Sequence, residues 1–169
     1  MNLFWDGTYS YVDEGNVYYE FVSAGTYTLK ITAGNSVVTK KIKAVYPEKG
    51  YLGDFYVTID KTELTETYSG TKAVRVYFTF VNKSDEAASF DIEMHVTAAQ
   101  KGVELDEGYL VEASDTDNNC KKMIAPGASI SCSQCFLLED TVSPVKIDVC
   151  GMGDDLYANI ERVLPLPVE

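Results

Sequence analysis

The feature that most constrains this chain is a period of two. Val74, Val76, Phe78 and Phe80 alternate with Arg75, Tyr77 and Thr79. Successive side chains of an extended strand point to opposite faces, so the apolar set belongs to one side of a sheet. The pattern recurs. Tyr27, Leu29 and Ile31 alternate with Thr26, Thr28, Lys30 and Thr32, and Phe90, Ile92, Met94 and Val96 alternate with Asp91, Glu93, His95 and Thr97. No long stretch carries a helical 3.6-residue apolar period. Twelve Tyr and seven Phe reinforce the reading, because flat and branched side chains suit a pleated, half-buried surface.

Turn signals cut the chain into many short strands. Gly34-Asn35 separates Gly25–Ala33 from a return strand over Ser36–Val45. Val17–Val22 and Leu3–Trp5 read as further strands. Downstream, strands are expected at Phe55–Ile59, Val74–Phe80, Phe90–Val96 and Ile130–Leu138. Pro144–Val149 is expected as the hairpin partner of Ile130–Leu138, and Leu156–Leu164 as the last strand. Gly108–Ala113 and Lys121–Ile124 are weaker candidates. Many short strands between turns predict an all-β chain, two immunoglobulin-like sandwich units in tandem, the first small or truncated. Tyr46-Pro47-Glu48-Lys49-Gly50 reads as a boundary. The expected division is a partial unit over 1–46, a linker over 47–53 and a fuller sandwich over 54–169.

Charge changes at the same place. The chain has a formal net charge of -12. Residues 1–49 hold five acids and five bases, so the whole excess lies downstream. An acidic surface repels phosphate backbones and anionic lipid, which argues against nucleic acid and anionic membranes as partners. No apolar run approaches the roughly 20 residues of a membrane span. Asn-Leu-Phe-Trp-Asp follows Met1 without a basic n-region or an apolar h-region. Either the chain is cytosolic or an export segment lies outside this sequence.

Tyr18-Tyr19-Glu20-Phe21 with Ala24-Gly25-Thr26-Tyr27-Thr28-Leu29-Lys30-Ile31 resembles the last strands of PKD-type and other bacterial Ig-like domains. The Gly-x-Tyr there implies a corner tyrosine at Tyr27. Phe4-Trp5-Asp6-Gly7 is similar to the Trp-bearing strand of the PKD domain. Residues 54–150 resemble an Ig-like domain of unknown function from Gram-positive secreted lipoproteins, structurally akin to a secreted mycobacterial antigen. Ala73 through Asp85, Ile124-Ala125-Pro126-Gly127 and the stretches Phe136–Asp140 and Pro144–Val149 carry that resemblance. It implies an exported, cell-surface context and transfers no catalytic residue.

Four cysteines lie in the second segment: Cys120, Cys132, Cys135 and Cys150. Cys132 and Cys135 form a Cys-x-x-Cys, but on a strand residues three apart face opposite sides. That weakens a zinc knuckle or a redox motif, which wants a helix N-terminus. Buried thiols and structural disulfides both stay open, and four cysteines allow three full pairings. Cys132 shares a face with Ile130, Phe136 and Leu138, which predicts a core position. Glu104–Asp117 holds six acids and ends in Asp115-Thr116-Asp117-Asn118-Asn119. Asp115, Asp117 and Asn119 match the first oxygen ligands of a calcium loop, but position six is Cys120 rather than Gly and position twelve is Pro126 rather than Glu. An ordinary turn uses the same residue types. His95, the sole histidine, is expected on a polar face, and no Gly-x-Ser-x-Gly elbow accompanies it. Tyr9, Tyr11, Tyr18 and Tyr19 are candidate interface residues, since a flat amphipathic ring buries area at little entropic cost.

The expectation is therefore a non-catalytic extracellular or cell-surface interaction or spacer module of a bacterium. Its partner would be a protein or glycan, and it would need no cofactor. The alternative is a calcium- or small-ligand-binding accessory domain using loop 104–119.

Overall fold

The computed structural model describes residues 2–5, 9–13, 16–20, 25–33, 35–45, 47–110, 114–152 and 159–166. For residues 2–20 and 31–33 the backbone course is described and the side chains are not. The chain divides into two compact units, Met1–Tyr46 and Pro47–Glu169.

In the first unit, β1 (Asn2–Trp5), β4 (Gly25–Ala33) and β5 (Ser36–Ala44) form an antiparallel sheet of order β1-β4-β5. The hairpin is in the expected register, with Ala33 opposite Ser36 and Leu29 opposite Lys40. β2 (Tyr9–Asp13) and β3 (Asn16–Glu20) make a separate two-stranded ribbon. Tyr27, the expected corner tyrosine, sits in β4 opposite Ile42 and is half-buried, with its ring against Gly25. Ser36–Lys41 of β5 is exposed on both faces.

The second unit stacks two four-stranded antiparallel sheets. One has the order β11-β8-β7-β6, from β6 (Lys49–Leu52), β7 (Phe55–Glu66), β8 (Lys72–Asn82) and β11 (Ser129–Leu137). The other has the order β10-β9-β12-β13, from β9 (Met94–Gln100), β10 (Val103–Glu104), β12 (Val145–Gly151) and β13 (Asn159–Leu164). Alternation decides what each sheet buries. Val57, Ile59, Val76, Phe78 and Phe80 from the first meet Val96, Ala98, Ile147, Val149 and Ile160 from the second in one core. Each Val, Ile or Phe among them contributes about 1.5–3 kcal/mol by leaving water. Strand β7 bulges between Ile59 and Lys61. Arg162 of β13 donates to the Ile59 carbonyl at 2.6 Å and the Asp60 carbonyl at 2.8 Å, so a side chain from one sheet satisfies the bulge of the other.

Three expectations are corrected. Phe90–Val96 is not one strand: Phe90–Glu93 is a single helical turn, α1, and β9 starts at Met94. The turn carries the chain from one sheet to the other. It drives the Phe90 ring against Phe78 at 5.0 Å and Phe80 at 5.7 Å, while Ile92 swings out to 61% exposure. Ile130–Leu138 and Pro144–Val149 are strands but not a hairpin, since β11 pairs with β8 and β12 pairs with β9 and β13. Between them the chain crosses from sheet to sheet, and buried Gln100 holds the crossing. Its Nε2 donates to the Asp140 and Ser143 carbonyls at 3.0 and 2.8 Å, and its Oε1 accepts from Glu139 N at 2.9 Å. Finally, 47–53 contains strand β6, paired with β7, rather than a free linker.

The weaker strand candidates become isolated bridges. Leu110 pairs with Thr67, and Ile124 with Ala88. Residues 111–113 lie outside the described ones. The last strand begins at Asn159, within the expected Leu156–Leu164. The Asn82–Asp85 turn is built on buried Asn82, whose Nδ2 donates to the Glu86 and Ile124 carbonyls at 2.7 and 3.0 Å.

Candidate functional site

The site grows from the outer face of the sheet that carries β8 and β11. Arg75 sits between Val74 and Val76, so alternation turns it away from the core. Cys135 of β11 lies directly opposite it, and Ser133 opposite Tyr77. A short helix, α2 (Asp115–Asn119), covers this face and starts with a capping box between Ser114 and Asp117. Asp117 then reaches down to Arg75. The pair is bidentate, with Nε to Oδ1 and Nη2 to Oδ2 both at 3.1 Å. Ser133 Oγ and the Ser114 backbone N–H also donate to the same carboxylate. Burial would raise the Asp117 pKa, but hydrogen bonds from Ser133, Ser114 and Arg75 outweigh it and hold the group below the ordinary carboxylate value.

The same loop closes the free edge of β11. Ser131 O accepts from Asn119 Nδ2 at 2.8 Å, Ser133 O from Cys120 Sγ at 3.2 Å, and Cys135 O from Gly108 N at 2.8 Å. Leu137 N donates to Asp106 O at 2.8 Å. An uncovered edge strand leaves such groups open to other chains, and here Asp106, Gly108, Asn119 and Cys120 occupy them. Gly108 is needed for that approach. A Cβ there would come within 3.0 Å of Leu137 Cδ2 and 3.3 Å of Cys135 Sγ.

Between loop and strand lies a cleft of about 320 Å³. Asp91, Glu107, Asn118, Lys121 and Gln134 contribute polar walls, and Ser133, Cys120 and Cys135 line it more deeply. Gln134 donates to Asp91 at 3.3 Å, while its buried Oε1 has no partner among the described residues. Tyr109 stands at the rim, 85% exposed. Tyr68, equally exposed, joins it through a backbone hydrogen bond from Tyr68 N to Tyr109 O at 3.3 Å.

Two of the three calcium-loop candidates are engaged by other side chains or backbone. Asp115 is exposed on α2, and Asp117 is engaged by Arg75. Asn119 bonds the β11 edge with its Nδ2, and its Oδ1 accepts from Lys122 at 2.7 Å. Among the described residues, no group of three His, Cys, Asp or Glu side chains is arranged to hold a metal.

Cys132 and Cys135 do face opposite sides. Cys132 is fully buried in the core, and Cys135 lies under Gly108. Burial pushes the Cys135 thiol up to about 11. Hydrogen bonding from Cys120, together with burial, pushes Cys132 far above the ordinary thiol range. Cys150 is half-buried on β12 opposite His95, and burial raises it too. His95 is exposed, as alternation predicts. Tyr9 and Tyr11 fall on β2, and Tyr18 and Tyr19 on β3, with Tyr11 opposite Tyr18; their side chains lie outside the described residues.

Arg75, Ser133, Gln134, Tyr68 and Tyr109 were not singled out by the sequence. The available signal was slight: an arginine at an outward strand position, with a serine on a strand of unknown pairing.

Fold and site together define an all-β sandwich protein with a polar cleft on one outer sheet face. A family model described as a domain of unknown function (DUF5067) matches residues 27–151, and the chain belongs to that family. Among solved structures, the yjhA protein from Bacillus subtilis is 11% identical, with a TM-score of 0.50 over 71% of this chain and 96% of that one. This likeness is one of fold. A lipoprotein candidate from Staphylococcus aureus subsp. aureus NCTC 8325 is 14% identical, with a TM-score of 0.49 over 80% of this chain and 92% of that one. No curated protein matches the chain.

Proposed function

We propose that this chain is a non-catalytic, immunoglobulin-like recognition module on the outside of a Gram-positive bacterium. The cleft beside β11 and its tyrosine rim would be its contact surface. One observation carries the reading: Tyr109 lines the cleft, Tyr68 is tied to it through the backbone, and each is 85% exposed. Large aromatic rings held in water by a fixed backbone are suited to a partner, because they bury area at little entropic cost. Two cleft groups that could do covalent work are otherwise occupied. Asp117 is committed to Arg75, and Cys135 is held as the thiol rather than the nucleophilic thiolate.

Strand order supports the immunoglobulin-like part. Strands β7-β8-β11 face β10-β9-β12-β13, the arrangement of A-B-E against C′-C-F-G in such sandwiches. The exported setting draws on the resemblance of residues 54–150 to the secreted-lipoprotein domain. Among the described residues no helix is long and apolar enough to cross a membrane.

The test uses fluorescently labelled chain incubated with intact Gram-positive cells. The chain should be retained on the wall, and the double substitution Tyr68→Ala/Tyr109→Ala should lower retention about tenfold, the size of a modest aromatic hot spot. Equal retention of both proteins, or none of the parent, would overturn the proposal.

A further inference from the structure

We propose that the cleft beside β11 binds an uncharged oligosaccharide, with one sugar ring stacked on Tyr109. The inference rests on the recognition reading for its surface and adds the ligand class. The walls decide that class. Asp91, Glu107, Asn118 and Gln134 all present planar carboxylates or carboxamides to the cleft. Two polar atoms in one plane suit a pair of neighbouring hydroxyls, and the carboxamides both donate and accept. Asp91, Glu107 and Asn118 are exposed and open to a ligand. Tyr109, 85% exposed, adds a flat ring. Such a ring packs on the apolar C–H face of a pyranose while its hydroxyl stays wet. A sugar ring is polar at its edge and apolar on its face, so it meets both kinds of wall at once. The cleft volume of about 320 Å³ has room for about two pyranose rings and lies at the small end of ligand sites.

Other ligand classes fit less well. A peptide binds by adding a strand to a sheet edge or by laying an apolar helix face in an apolar groove. Here the β11 carbonyls of Ser131, Ser133 and Cys135 already accept from Asn119, Cys120 and Gly108, and the cleft walls are polar. An acidic sugar would face the carboxylates of Asp91 and Glu107, with Lys121 alone cationic among the described lining residues. Asp117 is already neutralised by Arg75.

The walls are also tied to one another before any ligand arrives. Gln134 Nε2 donates to Asp91 Oδ1 at 3.3 Å, Asp91 N to Cys120 O at 3.0 Å, and Gly108 N to Cys135 O at 2.8 Å. A site held in this way loses little freedom on binding.

The full chain, isotope-labelled, is titrated with uncharged trisaccharides of glucose, mannose and N-acetylglucosamine, and with trigalacturonate, while its amide resonances are followed. At least one uncharged trisaccharide should bind in the millimolar range or tighter, and about tenfold or more above trigalacturonate. The shifts should centre on the backbone amides of Gly108, Tyr109, Asn118 and Gln134. Tyr109→Ala should weaken binding about tenfold and leave the melting temperature unchanged, because the ring is exposed. No binding by any uncharged trisaccharide, equal binding of trigalacturonate, shifts centred elsewhere or an unaffected Tyr109→Ala would overturn the inference. The trisaccharide that binds should also displace the labelled chain from intact cells. Tyrosine-dependent retention on cells that none of the uncharged trisaccharides displaces would sink the sugar class and leave the recognition reading standing. Sugar binding at the cleft by a chain that cells do not retain would uphold the sugar class and sink that reading instead.

Discussion

Arg75 and Asp117, 42 residues apart, meet through two parallel hydrogen bonds on the outer face of a sheet. Their side chains are 9% and 17% exposed. A forked guanidinium–carboxylate pair fixes direction as well as distance. Here it orients α2 over β8 and β11, and so sets one wall of the cleft.

Asp117→Asn should therefore destabilise the second unit by about 2–3 kcal/mol, because it breaks the closer, bidentate contact of Arg75 and leaves the longer one to Glu63 at 3.6 Å. Thermal unfolding checks this. The effect has a defined pH window. Asp117 is held below its ordinary value of 3.8. Its stabilisation is then complete above about pH 4 and is lost as pH falls through the lower folded value. The melting difference between parent and Asp117→Asn should shrink on acidification below pH 4; a constant difference would mean that the carboxylate charge is not the cause.

Gln100 provides a sharper comparison. Its amide nitrogen feeds two carbonyls of the 139–143 crossing, and its oxygen accepts from backbone N–H groups there. Gln100→Glu keeps the acceptor but loses both donations and buries a charge. It should cost at least as much as Gln100→Ala, about 2–4 kcal/mol, since unpaired buried groups are the expensive outcome. Denaturant titration of the two variants gives the order.

Gly108→Val tests the loop's approach to β11. Its Cβ would press on Leu137 Cδ2 and Cys135 Sγ. Overpacking of this kind costs about 1–3 kcal/mol. Amide exchange at Leu137, which donates to Asp106, should speed up more than exchange at Val76 in the sheet interior.

The sequence revealed what is local. Val74 to Phe80 declared itself because one face of β8 is wholly buried, so the period of two survives in composition. Phe90 to Val96 had the same spacing and misled. Spacing cannot distinguish a strand from one helical turn followed by a strand, and it was the need to seat Phe90 against Phe78 and Phe80 that decided. Leu138 to Pro144 resembled a hairpin because its strands are adjacent in sequence; which strand each pairs with depends on the facing sheet. The site was least legible. Cys132 in the core and His95 outside followed from alternation, whereas the meeting of Arg75 with Asp117 depends on a loop laid across two strands. Tyr109, which lines the cleft, and Tyr68, bonded to its backbone, stand outside regular strands, where no period marks them.

The residues that close β11 also bear on how one copy of the protein meets another. While Asn119, Cys120 and Gly108 occupy the carbonyls of β11, that strand offers no template for growth. A protease that cut the loop would expose Ser131, Ser133 and Cys135 as a docking rail, and neighbouring molecules could stack onto it strand by strand. For β11, closure against strand-by-strand growth thus resides in an acidic segment rather than in the core.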